Sequence, residues 1–325
     1  MATHPLPDQL VPDSVPFLAC LDAIYQDPDA QVTIDCSQVR FVTPFGLCLM
    51  AATFDWLEQE HKQVGHAGLS PSVGSYLARM DCLPGALAEP FVGPRNNRAD
   101  ALVEVQVISD RSEADMAAQK LARAFVGRLP GTDPQAIPDE MTGLKPGEAM
   151  EEALAYIFTE LIDNSLTHGR KHGFPNAKVW VAAQYYPSKD HIRLAVVDNG
   201  CGLLRSLRNH PRLADKTDIG AIKLALEPRV SGNRDVGLMD DSHNQGVGLS
   251  VSAELAIRAG GRVDIISGQG AVKKLGNALH SWTVPAWHGT AIEMTVRRKQ
   301  LGGVRVSSLI RELPGYEQVS MLRFT

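Results

Sequence analysis

Apolar and polar positions in the C-terminal two thirds of the chain repeat with two periods, those of strands and of helices. Leu102–Ile108 alternates as a half-buried strand does. Ser112 follows in the position of a helix cap, and its helix is expected to end near Arg128. A long helix is predicted over residues 148–168, because its apolar residues share one face. The later predictions are a hairpin of Lys178–Tyr186 and His191–Asp198, helices at 219–227 and 248–259, and strands at Arg262–Ser267 and Thr290–Arg297.

A shorter unit of the same kind precedes this region. Val32–Cys36 alternates like a strand, and Phe45–His61 carries apolar residues at helical spacing. Ser72–Met80 is a second predicted helix. Residues 1–16 are polar and proline-rich, and Leu83–Asp100 contains three prolines, so we expect a loose tail and an inter-domain linker there.

The length of 325 residues suits two domains, and the order of elements gives an α+β chain with an α/β unit in front. The expected parts are a tail at 1–16, an α/β unit at 17–85, a linker at 86–100, a larger domain at 101–298 and a C-terminal extension at 299–325, whose role the sequence does not indicate.

Composition and charge exclude several classes of protein. The net charge of −5 gives no general attraction to nucleic acid or to an anionic membrane. No run of about 18 apolar residues and no secretory signal is visible, so we expect neither a membrane span nor export. The five cysteines are scattered and form no CxxC pair, which favours reduced thiols in a cytoplasmic protein over a zinc site or disulfides.

The long helix carries two polar residues beside its apolar stripe. Glu160 and Asn164 are four apart, so they lie on one face of the helix. A carboxylate and a carboxamide at the edge of a core are costly unless they are paired, which indicates the rim of a pocket. Asn164 offers a hard oxygen suited to Mg²⁺, and Glu160 is able to orient or deprotonate a nucleophile. An amphipathic helix with a polar flank is the alternative.

Two glycine-containing turns follow at the ends of predicted elements. Asp198 ends a strand and precedes Gly200 and Gly202, a position suited to accepting a hydrogen bond from an exocyclic amine. A simple tight turn is the alternative. Gly246 and Gly248 precede a helix whose N-terminus offers free N–H groups to phosphate, although an ordinary junction between loop and helix has the same pattern.

In this order, the motifs resemble the N, G1 and G2 boxes and the terminal Gly-Thr of the GHKL ATPases, the superfamily of DNA gyrase B subunits, heat-shock chaperones, histidine kinases and anti-sigma-factor serine kinases. They read Glu160–Asn164, Asp198–Gly202, Gly246–Leu249 and His288–Thr290. The resemblance implies Glu160 as general base, Asn164 as the Mg²⁺ ligand, Asp198 as the reader of adenine, Gly200 and Gly202 behind the base, Gly246, Gly248 and Leu249 at the phosphates, and Thr290 as the support of Asp198.

The resemblance also implies a Bergerat fold, a mixed sheet with helices on one face, that binds ATP and Mg²⁺. Residues 203–245 correspond to a mobile lid over the nucleotide. Lys216, Arg229 and Arg234 are within its span and are candidates to reach phosphate, with a solvated loop face as the alternative for each. His168 ends the long helix, either as a phosphate or lid contact or as a cation favoured by the helix dipole.

The N-terminal unit resembles a STAS domain, the fold of anti-sigma-factor antagonists. The resemblance runs from Val32 to Leu47, where a strand leads into a helix start. The phosphorylated serine of that family is absent, because Pro44 stands in its place and Thr43 is the hydroxyl nearby. The fold is therefore expected without the phosphorylation switch.

Two functions remain open at this point. The first is a slow ATPase or a protein Ser/Thr kinase, which Glu160 favours. The second is an ATP-gated interaction module without turnover, which the altered STAS-like unit favours. A conventional histidine kinase is not expected, because His61 and His66 do not lie in a phospho-acceptor helix pattern. We expect a protein partner, with a homodimer among the open arrangements, and no nucleic acid or membrane.

Overall fold

The computed structural model describes residues 2–93, 102–127, 129, 135–139, 143–228, 230, 248–305 and 309. Gly246, Arg229, Arg234, most of the second half of the predicted lid and most of the C-terminal extension lie outside these residues. None of the described helices is long and apolar enough to cross a membrane.

The first unit contains, in chain order, β1 (Ala2–Pro5), β2 (Gln9–Leu10), α1 (Val15–Gln26), β3 (Gln31–Asp35), β4 (Phe41–Val42), α2 (Pro44–Gln59), β5 (Gln63–Ala67), α3 (Pro71–Arg79) and α4 (Gly85–Ala88). The second contains β6 (Leu102–Ile108), α5 (Arg111–Val126), α6 (Pro146–Gly169), β7 (Val179–Tyr186), β8 (His191–Asp198), α7 (Gly202–Leu207), α8 (Asp218–Ala225), α9 (Gly248–Arg258), β9 (Arg262–Leu275), β10 (Ala278–Arg297) and α10 (Arg298–Leu301).

The second unit is built on a sheet in the order β6-β7-β8-β10-β9. The α+β class is confirmed, but the described strand pairs of this sheet are all antiparallel, where a mixed sheet was expected. Helices α5, α6 and α9 cover one face and enclose a core with alternate residues of the strands. In β8, Leu194 and Val196 face this core while Ala195 and Val197 face the opposite side.

The first unit covers that opposite side of the sheet. Phe45 and Leu47 of α2 belong to the same buried cluster as Trp180 of β7, Ala195 of β8 and Trp287 of β10. The sheet is therefore buried on both faces, which explains the nearly continuous apolar sequence of β8. The expected linker divides the chain in sequence, but the two units share one core.

The predicted loose tail is wrong for the described residues. Ala2–Pro5 pairs in parallel with β3, which in turn pairs with β5. Ser14 caps α1, a helix that the sequence analysis did not predict. The proline content of this segment suggested a coil, yet Pro5 lies in an edge strand, where a missing N–H costs little.

Three other boundaries differ from the expectation. The cap of α5 is Asp110, not Ser112: its carboxylate accepts the Ser112 N–H at 2.8 Å, and Glu113 completes a capping box. Strands β9 and β10 extend beyond the predicted ends and meet at Gly276, whose φ of +55° suits a turn. The helix predicted at 219–227 corresponds to α8, whereas α7 was not predicted.

The shared core generates a test by Phe45→Ala. Removing this fully buried ring should lower the free energy of unfolding by about 3–5 kcal/mol. Because the core is common to both units, amide exchange in β7 and β8 should accelerate together with that in α2. Chemical unfolding and hydrogen exchange measure both effects, with the exposed Leu279→Ala as the control. Full protection of β7 and β8 in Phe45→Ala would show that the units unfold independently.

Candidate functional site

A buried carboxyl group at the end of β8 forms one end of the candidate site. Asp198 is 3% exposed and lies directly opposite Thr290 of β10 in the sheet register. Its Oδ1 accepts the backbone N–H of Gly200 at 2.9 Å and that of Thr290 at 3.2 Å. The structure therefore brings together residues of two motifs that lie far apart in the sequence, Asp198–Gly202 and His288–Thr290.

Burial raises the pKa of Asp198 to about 7, although the hydrogen bonds from Gly200 and Thr290 act in the opposite direction. Such a group exchanges its proton near neutral pH. In its ionised form the carboxylate is a strong acceptor for a donor that enters the adjoining cavity.

The two glycines after Asp198 are required by close backbone contacts. A Cβ at Gly200 would lie 2.3 Å from Cα of Gly169, at the end of α6. Gly202 has a φ of +74°, in the left-handed region, and a Cβ there would lie 3.1 Å from Oγ of Ser267. Gly202 lines the cavity, whereas Gly200 packs the turn closely against the end of α6. Gly200 is therefore required for packing against α6, in addition to its expected place behind a base.

Helix α6 supplies a second part of the cavity wall. Asn164 lines it, and its buried Oδ1 has no hydrogen-bond partner among the described residues. A carboxamide oxygen of this kind fits a Mg²⁺ ion, which keeps several waters and needs few protein ligands. The described residues contain no group of three or more His, Cys, Asp or Glu able to hold a metal among themselves. Asn164 is thus the residue of α6 that fits the cation.

Glu160 lies one turn before Asn164 and is 8% exposed, but it does not line the described cavity. It borders the first residue of α9 instead. A Cβ at Gly248 would lie 2.7 Å from Nδ2 of Asn164 and 3.1 Å from the carbonyl group of Glu160. The absence of a side chain at Gly248 therefore lets the N-terminus of α9 approach α6 closely, and the next residue, Leu249, lines the cavity.

Most of the cavity wall was not predicted from the sequence. Six residues that the sequence singled out line it, namely Asn164, His168, Asp198, Gly202, Leu249 and Thr290. The other lining residues are Leu161, Ser165, Gly169, Leu203, Ser206, Leu207, Ala225, Val230 and Ile292. Leu161 and Ser165 of α6 are four apart, so their helical spacing was a usable signal. Those on α7 had none, because α7 itself was not predicted.

His168 is neutral in this setting, which removes its interpretation as a helix-terminal cation. Burial lowers its pKa to about 4. Its Nδ1 lies 3.4 Å from Oγ of Ser206, and it lines the cavity between α6 and α7. The residue therefore contributes a neutral ring and a hydrogen-bonding nitrogen to the wall.

Comparison with known families agrees with this geometry. Residues 149–300 match the family described as histidine kinase-, DNA gyrase B-, and HSP90-like ATPase. Residues 149–300 form a domain of the GHKL type. The match includes the described cavity from Leu161 to Ile292, while β6 and α5 complete the sheet and the core outside the matched segment. No curated protein and no solved structure matches the chain.

The contact between Gly200 and Gly169 generates a test by Gly200→Ala. The added methyl group would meet backbone atoms of the GHKL domain that cannot rotate away, so the turn or the end of α6 must shift. We expect a loss of about 1–3 kcal/mol in the free energy of unfolding, measured by denaturant titration. Gly65→Ala is the matched control, because a Cβ at Gly65 meets nothing within 4 Å. Equal stability of the two variants would contradict the close contact.

Proposed function

We propose that this chain is a regulatory protein that binds Mg-ATP in the cavity of its GHKL domain and presents the nucleotide-dependent state to a protein partner. The observation that carries the proposal is that one cavity is lined both by the buried Asp198 carboxyl group at the end of β8 and by the Asn164 oxygen of α6, which has no hydrogen-bond partner among the described residues. A cavity with a hydrogen-bond acceptor on one element and a metal ligand on another suits a nucleotide, which has a base and a metal-bound phosphate chain.

Asp198 would read the adenine ring. The exocyclic amine of adenine is a donor, and guanine has a carbonyl oxygen at the same place, so a carboxylate favours adenine. Thr290 would hold the carboxylate in position through its N–H. Leu203, Leu249 and Ile292 give the cavity apolar walls suited to a flat ring.

The α6 and α9 wall would hold the phosphates and the metal. Asn164 would bind Mg²⁺, which when bound neutralises phosphate charge. Backbone N–H groups at a helix N-terminus favour anions, and Gly248 lets the N-terminus of α9 lie against α6. Gly246 belongs to this part of the proposal through the family motif alone, because it lies outside the described residues.

ATP turnover is a second part of the proposal, and it depends on Glu160. As the general base, this carboxylate would act on water, giving a slow ATPase, or on a hydroxyl group of a partner, giving a protein Ser/Thr kinase. The position of Glu160 beside the cavity, and not in its described wall, is compatible with an ATP-gated module that has no turnover. The Glu160 variant below separates these two functions.

The N-terminal unit would serve as the docking surface for a partner. Its likeness to a STAS domain stays a proposal, supported by the strand that leads into α2 at Thr43. Thr43 is fully buried and donates its hydroxyl to the carbonyl of Leu10 at 3.3 Å, so it is a poor phosphate acceptor. The burial of Thr43 agrees with a docking scaffold that has no phosphorylation switch. The free thiols of the chain agree with a cytoplasmic location.

The base-reading role predicts the behaviour of Asp198→Asn. Because Oδ1 accepts two backbone N–H groups, the Asn variant should keep its carbonyl there and turn its NH₂ toward the adenine amine. Affinity for ATP should fall by about 1–3 kcal/mol, with little change for GTP. Because the pKa of Asp198 is raised to about 7, a smaller fraction of its carboxyl group is ionised and able to accept at acidic pH. The affinity of the wild type for ATP should therefore rise as the pH increases through 7.

Calorimetric titrations with ATP and GTP at pH 6, 7 and 8 measure these effects. The titration of the phosphate groups affects both proteins, so the difference between wild type and Asp198→Asn isolates the carboxyl group. Equal affinity of the wild type for ATP and GTP, unchanged in the variant, would remove the base-reading role.

Turnover predicts a different signature for Glu160→Ala. If Glu160 activates the nucleophile, phosphate release should fall by roughly 10²–10⁴-fold while ATP affinity stays nearly constant. Phosphate release and ATP binding are measured side by side, with Glu152→Ala, an exposed carboxylate on the same helix, as the control. If Glu160→Ala still releases phosphate at the wild-type rate, Glu160 is not the general base. If the wild type shows no turnover even in a partner's presence, the enzyme function is excluded and the ATP-gated binding module is the function that stays.

A further inference from the structure

The indole ring of Trp287 lies behind Asp198, on the side of the sheet away from the cavity helices. Its Nε1 donates a hydrogen bond to the backbone carbonyl of Asp198 at 3.1 Å, and the side chain is 2% exposed. Trp287 pairs with Gly268, and the strand register shifts on both sides of this pair. Such bulges redirect a side chain from the regular alternation, and here the indole N–H meets the end of β8.

The same ring contacts the N-terminal unit. Tyr25 of α1 meets Trp287 edge to face with ring centroids 5.9 Å apart. Tyr25 in turn packs on Trp56 of α2, with centroids 4.4 Å apart. Three rings thus connect helices α1 and α2 to the backbone of Asp198.

Little space exists for Asp198 to move independently of Trp287. Between Trp287 and Thr290 the chain passes Gly289, whose φ is +125° and where a Cβ would lie 2.0 Å from the carbonyl oxygen of Asp198. Oγ of Ser267 donates a hydrogen bond to the carbonyl oxygen of Gly289 at 2.8 Å. A displacement of the indole therefore moves the carbonyl of Asp198, and with it the carboxyl group that faces the cavity.

We propose that Trp287 is a positioning residue that makes the base selectivity of the nucleotide cavity depend on the packing of the N-terminal unit. This inference rests on the proposed function, because it assigns the placement of the base-reading group. The hydrogen bond from the indole N–H sets the position of Asp198, and the contact with the Tyr25 ring sets the position of the indole. A partner that shifts α1 or α2 changes the preference for ATP, and by linkage ATP changes the affinity for that partner.

The test compares Kd for GTP divided by Kd for ATP across variants of the full chain. Trp287→Phe keeps an aromatic ring but has no N–H, and we expect the ratio to fall about three- to tenfold. Trp282→Phe on the same strand is the matched control and should keep the wild-type ratio. A merely structural effect would weaken both nucleotides equally and leave the ratio unchanged, which would overturn the positioning role.

Two variants of the N-terminal ring test the second link. Tyr25→Phe preserves the ring contact and should keep the wild-type ratio, whereas Tyr25→Leu should lower it although residue 25 does not line the cavity. A Tyr25→Leu protein with the wild-type ratio would overturn the dependence on the N-terminal unit. This pair keeps the inference testable if Trp287→Phe fails to fold.

The outcomes separate this inference from the proposed function. If the wild type prefers ATP and Asp198→Asn loses that preference while Trp287→Phe retains it, the positioning role is wrong and the proposed function stands. If the wild type binds no adenine nucleotide, the proposed function is wrong and the inference is wrong with it. A reduced ratio in Trp287→Phe and Tyr25→Leu, with wild-type ratios in Trp282→Phe and Tyr25→Phe, supports both.

Discussion

Burial of the β6-β7-β8-β10-β9 sheet on both faces is the constraint on which the rest of the molecule depends. The strands present one apolar face to α5, α6 and α9 and another to α1 and α2. Exposing either face would leave a large apolar surface in water, at roughly 25 cal/mol for each Å². In energetic terms the N-terminal unit is therefore part of the same folded body as the GHKL domain, even though it precedes that domain in sequence.

This arrangement places a titratable group where two cores meet. Asp198 ends β8, a strand that is buried on both sides, so its carboxyl group loses most contact with water and its pKa rises. Backbone N–H groups from the following turn and from β10 offset part of that cost. The result is a fixed acceptor at the cavity wall, held by main-chain geometry more than by flexible side chains.

The side-chain oxygen of Asn164 differs from the Asp198 carboxyl group in its hydrogen bonding. The Asn164 oxygen lies buried at the cavity without a hydrogen-bond partner among the described residues, an arrangement that costs free energy until a ligand supplies a donor or a cation. Glycine at position 248 allows α9 to lie close to the carboxamide group of Asn164. The two groups therefore differ in chemistry, and the proposed function assigns them to the two ends of a metal-bound nucleotide.

The sequence predicted a minority of the residues that line the cavity, but it predicted every described helix and strand that carries them except α7. Asp198 and Thr290 were recognised as separate signals, and the register of β8 and β10 places them opposite each other. The roles of Gly200 and Gly248 in packing against α6 were not visible, because they depend on contacts between distant segments. Helix α7 was too short to show a period, and Trp287 depends on a bulge that no local pattern encodes.

The N-terminal unit shows the same limit. The α2 helix has enough apolar residues at helical spacing to be predicted, but nothing in them distinguishes a face that packs on its own sheet from one that packs on another. Proline-rich composition suggested a tail where an edge strand exists, since the partner strand that accepts β1 lies some thirty residues later.

The most direct test of the central claim is a calorimetric titration of the full wild-type chain with ATP, in the presence and in the absence of Mg²⁺. We expect one ATP bound per chain, with tighter binding when Mg²⁺ is present. Absence of ATP binding under both conditions would contradict a nucleotide site between Asp198 and Asn164.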